Sequence, residues 1–374
     1  MSVLSGVRIV EFEGLGPGPF CGMLLADLGA DVVLIERKGG ADPGKAAIYK
    51  RGKRSIALDL KNEQAKAIAL DIIANADALI EGLRPGVMER LGLGPDVARA
   101  RNKKLVYGRL TGWGQTGPLS SAAGHDINYA ALSGAAWYAG GEGERPVPPP
   151  TLAGDVGGGA LYLAVGLLAG IMRARETGEG TVVDAAIVDG ASHMMNLLYS
   201  VRAAGGMPDA RGQSMLDGAH FYDAYECADG GWVSIGPLEP KFYAALLEKL
   251  GLADDPDFAA QYDKTKWPAL KERFRQIFKT RPRDEWTALL EGTDVCFAPV
   301  LAPSEAAAHP HMRERGVLRE IDGVLQAAAA PRFGGKAPPA PGAIPSAGQH
   351  TEEILAEIGV DDRLIAEWRE AGVL

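Results

Sequence analysis

Apolar positions in this chain alternate between short unbroken runs and longer helical repeats. The runs at 7–12 and 31–36 are β-prone, brief and bounded by polar or Gly positions, so each predicts a buried strand. Between them lie Gly14-Leu15-Gly16-Pro17-Gly18 and an apolar repeat that predicts a helix from about 19 to 28. Strand, Gly-rich turn, helix and strand form a βαβ unit, from which a parallel sheet follows. The alternation continues with strands at 55–60, 78–80 and 105–110 and a helix near 62–74. Residues 126–137 lack Pro and space their apolar side chains three and four apart, predicting a helix. A second helix runs from Asp155 to about 174, and 181–188 predicts another strand. From about 221 the pattern shortens to strands at 221–227 and 231–235 and helices at 241–250 and 266–279, which reads as a smaller α+β domain. Gly/Pro-rich connections occupy 140–150 and 337–345, and helices at 351–358 and 361–371 close the chain.

Composition narrows the class. A chain of 374 residues is long enough for two or three domains with buried cores. Its net charge of −9 argues against a general nucleic-acid binder, because no uniform basic field is present to hold phosphates. Cys21, Cys227 and Cys296 are odd in number and far apart, fitting neither a disulfide framework nor a zinc site, and the expected setting is a reducing cytoplasm. Arg8 inside the first apolar run, followed by Glu11 and Glu13, is unlike a secretory leader. The most apolar segment, 156–172, is broken by glycines and ends at Arg173, so the expectation is a buried helix and not a membrane span.

Candidate chemistry gathers at a few places. The Gly-rich turn after the first strand, with Glu36 at the end of the second, invites a dinucleotide reading. Pro19 stands where the third glycine belongs, and Pro17 and Pro19 remove amides that would face a pyrophosphate. Residues 37–54 hold seven basic side chains (Arg37, Lys38, Lys45, Lys50, Arg51, Lys53, Arg54) against one acid, Asp42. Such a run is either a solvated loop or a compact phosphate site, to which Arg84 and Arg90 could add. In Gly124-His125-Asp126 an imidazole stands at the start of a predicted helix, where the dipole favours a neutral, base-competent ring. Thirty residues on, Gly154-Asp155-Val156-Gly157-Gly158-Gly159 places a carboxyl among small residues. Two bases on Gly-flanked turns point to chemistry on a weakly acidic proton; taken alone, His125 could equally be a capping or core histidine. Met194, Met195, Met207 and Met215 are core methionines or a yielding surface for an acyl chain. No repeat or metal motif is evident.

Taken together, Gly124-His125-Asp126-Ile127-Asn128-Tyr129, Ala153-Gly154-Asp155 and the segment from Phe221-Tyr222-Asp223 to Tyr225-Glu226-Cys227 resemble the α-methylacyl-CoA racemases of the family III CoA-transferase superfamily. Gly52-Lys53-Arg54-Ser55-Ile56-Ala57-Leu58-Asp59 and Arg109-Leu110-Thr111-Gly112-Trp113-Gly114-Gln115 are shared more widely in that superfamily, and the resemblance runs on to Gly348-Gln349-His350-Thr351-Glu352-Glu353. The resemblance implies a Rossmann-like parallel-sheet large domain over 1–200, a linker at 201–220, a small α+β domain over 221–330, and a segment 331–374 returning to the large domain. It also implies an interlocked homodimer acting on an acyl-CoA thioester, with no cofactor beyond the CoA of the substrate. The two bases carry over to His125 and Asp155, with Glu239 as a carboxylate partner from the small domain. The CoA-binding residues carry over to Arg37 and Arg90, and with them Lys53 and Arg54. Backbone amides at the helix start near Asp126 are the expected support for an enolate oxygen. Thr151 departs from the Asn usual before Leu152, which bears on the acyl pocket. A transferase using Asp155 as nucleophile and a non-catalytic CoA-thioester binder are the alternatives.

Overall fold

The computed structural model describes residues 2–40 and 43–374; Asp42, the one acid of the basic run, lies outside them. The chain divides into two compact units. The first takes in residues up to Ala135, Pro149–Met194 and His311–Leu374, and the second Ala136–Pro148 and Met195–Pro310.

The first unit is built on a six-stranded sheet: β1 (Arg8–Phe12), β2 (Asp31–Arg37), β3 (Arg54–Leu58), β4 (Ala78–Glu81), β5 (Val106–Thr111) and β6 (Val182–Ala186). Its order is β3-β2-β1-β4-β5-β6 and every pairing is parallel. That is the doubly wound order, whose direction of winding reverses between β1 and β4. The helices that precede β6 are α1 (Pro17–Asp27), α2 (Glu63–Ala74), α3 (Val87–Arg90), α4 (Pro95–Arg101), α5 (Asp126–Leu132) and α6 (Leu161–Thr177); α7 (Ile187–Met194) follows it directly. Alternation along each strand feeds two cores. Val10, Val33 and Leu79 pack with Ile68 and Ile72 of α2, and with Ile354, Leu355 and Ile365 from the C-terminal helices. Ile9, Val32 and Ile80 face Cys21 and Leu25 of α1 and Leu163, Leu167 and Ile171 of α6. Each such side chain contributes about 1.5–3 kcal/mol when fully buried.

Several boundaries differ from the periodicity. The helix begun at Asp126 stops at Leu132, because Gly134 takes a left-handed φ of 84° that no continuing helix accepts. The apolar segment after Thr151 opens as a π-helical stretch, Leu152–Ala160, before settling into α6. Together, Leu152–Thr177 is long and apolar enough to cross a membrane by length and composition. The inner face of α6 is nevertheless packed on the sheet, while Leu161, Val165, Ala169 and Met172 form an exposed stripe on its outer face.

The second unit carries an antiparallel sheet of β7 (Asp223–Glu226), β8 (Trp232–Ile235) and β9 (Phe297–Val300). Helices Pro240–Leu250, Trp267–Phe278 and Arg283–Leu290 close over an aromatic core that includes Phe221, Tyr225, Phe258, Phe274 and Trp286. His220 is fully buried there, its Nε2 2.7 Å from the Tyr243 hydroxyl, and burial pushes its pKa down to about 4. An unfolded His titrates near 6.5. Between those values the unfolded chain binds the extra proton, so stability falls as the pH drops from about 6.5 towards 4. Urea denaturation of the whole chain, followed by Trp fluorescence, is expected to show this decline. His220→Gln, which retains a polar partner for Tyr243 and does not titrate, should flatten it; an unaltered slope in the variant would assign the decline to other groups.

Candidate active site

The reversal between β1 and β4 leaves a crevice at the carboxyl ends of the strands, the general ligand position of open α/β sheets. A cleft of about 510 Å³ occupies it. Its walls are the β1–α1 turn from Gly14 to Pro19, the loop after β4 from Gly82 to Pro85, and Thr111, Gly112 and Trp113 after β5. Gly124, His125, Tyr129 and Asp155 close the remaining side, so the imidazole and the carboxyl face the same space.

Local sequence explains how each is held. His125 is the residue before α5, and its backbone N–H donates to Asn128 Oδ1 at 3.1 Å, capping the helix without using the ring. Tyr129 donates its hydroxyl to the Gly124 carbonyl and packs edge-to-face on Trp113, with ring centroids 4.7 Å apart. The turn that presents the imidazole is thus anchored on both sides. Asp155 lies in the π-helical stretch, a geometry that widens one turn and re-aims its side chains. Gly158 and Gly190 let that stretch sit backbone to backbone on α7: a Cβ at Gly190 would fall 1.9 Å from the Gly158 carbonyl oxygen.

Asp126 joins the two segments. Its buried carboxylate accepts the backbone N–H groups of Thr151 at 3.2 Å, Gly154 at 2.9 Å and Asp155 at 2.8 Å. The side chain is therefore an acceptor that fixes the Asp155 turn, and any donors for an oxyanion would come from the backbone at the start of α5. Desolvation, reinforced by the Asp126 charge and opposed by His125, pushes the Asp155 carboxyl up to about 6. The β1–α1 turn closes on it, since a Cβ at Gly16 would lie 3.5 Å from Asp155 Oδ2. Thr151 holds φ at 60°, a left-handed conformation strained for a β-branched residue and easier for Asn.

The remaining sequence candidates divide. Arg37, at the end of β2, and Arg90, at the end of α3, are both exposed; Arg84, exposed as well, lines the cleft. Lys53 and Arg54 require correction as phosphate ligands. Lys53 is buried beside Glu11 at 2.6 and 2.8 Å and also donates to the Pro19 carbonyl at 3.0 Å. Arg54 is spent on Asp31, Glu353 and Glu357. Arg51 pairs with Asp27, and Lys50 with Glu36, which also accepts from the Ser55 hydroxyl. Glu36 is thus buried and occupied, which removes the ribose-binding acid a dinucleotide site requires. Glu239 belongs to the second unit, exposed at the N-cap of helix Pro240–Leu250, and is not part of the cleft lining. The sequence reading missed the carboxylate role of Asp126 and the π-helical turn. Only the run of glycines after Asp155 hinted at the latter.

The chain is 42% identical over 368 residues to the α-methylacyl-CoA racemase of Mus musculus, covering 98% of this chain and 96% of the relative. It is 40% identical over 360 residues to the Homo sapiens protein of the same name, with 95% and 93% covered. A CAIB/BAIF family protein from Brucella suis superposes with a TM-score of 0.81 at 26% identity, covering 96% of this chain and 99% of that one. The profile of CoA-transferase family III matches residues 4–351, and the chain belongs to that family.

Proposed function

We propose that this protein is a racemase that inverts the α-carbon of 2-methylacyl-CoA thioesters by two-base proton transfer. One observation carries the reading: His125 and Asp155 line one cleft, with the Asp155 carboxyl lifted to about 6, within reach of proton exchange at neutral pH. The thioester makes the α-proton weakly acidic. One group removes it, the electron pair delocalises onto the thioester oxygen as an enolate, and the other group returns a proton from the opposite face. Unlike groups suit the task because their proton affinities can be matched by burial and by neighbours. The enolate oxygen falls to the first backbone amides of α5, at Asp126 and Ile127, since those of Asn128 and Tyr129 donate to the His125 carbonyl. The thioester supplies the electronic activation, so the reading calls for no metal or organic cofactor. Arg37, Arg84 and Arg90, exposed at the carboxyl edge of the sheet, are the cations for the phosphates of the CoA portion.

The reading includes a homodimer. The exposed stripe Leu161, Val165, Ala169 and Met172 on α6 supports it, since a contiguous apolar helix face is costly to leave in water. In this dimer Glu239 of the partner subunit is the further carboxylate. Three free thiols (Cys21, Cys227, Cys296) support a reducing, cytoplasmic setting.

Three outcomes are expected. Proton NMR in D₂O should show deuterium entering the α-carbon from either enantiomer of a 2-methylacyl-CoA. His125→Ala should slow racemisation by about a hundred- to ten-thousand-fold, and the His125 and Asp155 variants should exchange opposite enantiomers. Hydroxylamine trapping of Asp155 during turnover, with no α-deuterium, would instead establish a transferase. The second outcome concerns pH. Because the Asp126 charge raises the Asp155 pKa, Asp126→Asn should lower it from about 6, and the acid limb of the rate profile should move to lower pH. A limb that stays in place would separate Asp155 from the titration. Finally, Val165→Glu should shift the sedimentation profile from dimer towards monomer; a wild type that is fully active as a monomer would refute the dimer.

A further inference from the structure

The loop that lines the cleft between Gly82 and Pro85 leads directly into α3 and Arg90, and it is gripped at both ends. Glu81, fully buried at the end of β4, accepts the backbone N–H of Leu83 at 2.8 Å through Oε2. Its Oε1 accepts from Arg109 Nε at 3.0 Å, across a register in which Glu81 and Arg109 are paired neighbours on β4 and β5. The remaining nitrogens of the same guanidinium reach out of the sheet to Glu89 on α3, at 2.8 and 3.3 Å. One planar side chain therefore spans the root and the far end of an eight-residue stretch, Gly82 to Glu89. Two exposed cations depend on that stretch. Arg84 sits within it at the cleft wall, and Arg90 follows Glu89, its guanidinium lying 3.0 Å from where a Cβ on Gly86 would stand.

From this arrangement we infer that Arg109 is a positioning residue, a clamp that sets Arg84 and Arg90 for the phosphate end of the substrate without touching it. The inference rests on the acyl-CoA reading above. A guanidinium suits the role because its fixed fork can satisfy two carboxylates in one plane, whereas an ammonium is a single point of charge. Glu89 is half-exposed while Glu81 is not, so the outer grip can be cut without stranding a charge in the core.

The test compares a 2-methylacyl-CoA with the matching pantetheine thioester, which lacks the nucleotide phosphates. Glu89→Gln should raise KM for the CoA ester about tenfold, the cost of one misplaced charge-assisted hydrogen bond, with kcat and the thermal midpoint nearly unchanged. KM for the pantetheine ester should not move. Arg109→Lys, which loses the fork at both carboxylates, should raise KM for the CoA ester at least as far as Glu89→Gln does. A purely electrostatic role for Glu89 gives the opposite sign, because removing an acid beside Arg90 strengthens the local field and lowers KM for the CoA ester. That result, or an equal rise for both esters, overturns the clamp while leaving the acyl-CoA reading intact. A wild type with the same KM for both esters overturns the reading of the cations, and the clamp with it.

Discussion

Three backbone N–H groups, those of Thr151, Gly154 and Asp155, converge on the carboxylate of Asp126. Asp126 begins α5 directly after His125, so this one side chain couples the imidazole turn to the turn bearing Asp155. A carboxylate taken out of water is tolerable only when its lone pairs are filled, and these donors fill them. The arrangement also explains the glycine before Asp155, since a Cβ there would fall 2.6 Å from Asp126 Oδ1. The same charge that secures the Asp155 backbone acts against ionisation of its side chain. Structure and proton affinity at this cleft thus share a cause.

The basic run illustrates how burial redistributes charge. Lys50, Arg51, Lys53 and Arg54 turn inward onto Glu36, Asp27, Glu11 and Asp31, and so tie β1, β2, β3 and α1 together. At Glu11 desolvation outweighs the neighbouring Lys53 and pushes the carboxyl up to about 7. Removing one member of the fully buried Lys53–Glu11 pair costs about 3–5 kcal/mol, because the other is left buried and unpaired. Lys53 has a second effect through its bond to the Pro19 carbonyl, which fixes the first turn of α1 and with it one wall of the cleft. Charge left at the carboxyl edge of the sheet comes instead from exposed side chains, Arg37 at the end of β2, Arg84 in the loop after β4 and Arg90 at the end of α3.

The doubly wound sheet is shared with dinucleotide-binding proteins, yet its crevice here is furnished differently. Pro17 and Pro19 withhold amides at the β1–α1 turn, and Glu36 is sequestered by Lys50 and Ser55. What faces the crevice is an imidazole and a half-buried carboxyl. Fold alone leaves the chemistry open; in the function proposed above, the side chains at the switch point direct it to proton transfer, within a chain of CoA-transferase family III.

Sequence by itself determined the parallel sheet and most of its strands and helices, because period and punctuation are local properties, and it singled out His125 and Asp155, which line one cleft. Glu239 was singled out as well, and it belongs to the second unit and is not among the residues that line the cleft. Tertiary structure alone decided which cations stay outside. Lys53 and Arg37 look alike in a basic run, but Glu11 on β1 and the open face at Gly22 make an inward berth for one of them: a Cβ at Gly22 would lie 1.7 Å from Glu11 Oε2. Tertiary structure likewise made Asp126 an acceptor, stopped α5 at Leu132, and opened the π-helical turn where Gly158 meets Gly190. Each of these depends on a partner distant in sequence, and a hydrophobic period carries no record of what will stand opposite it.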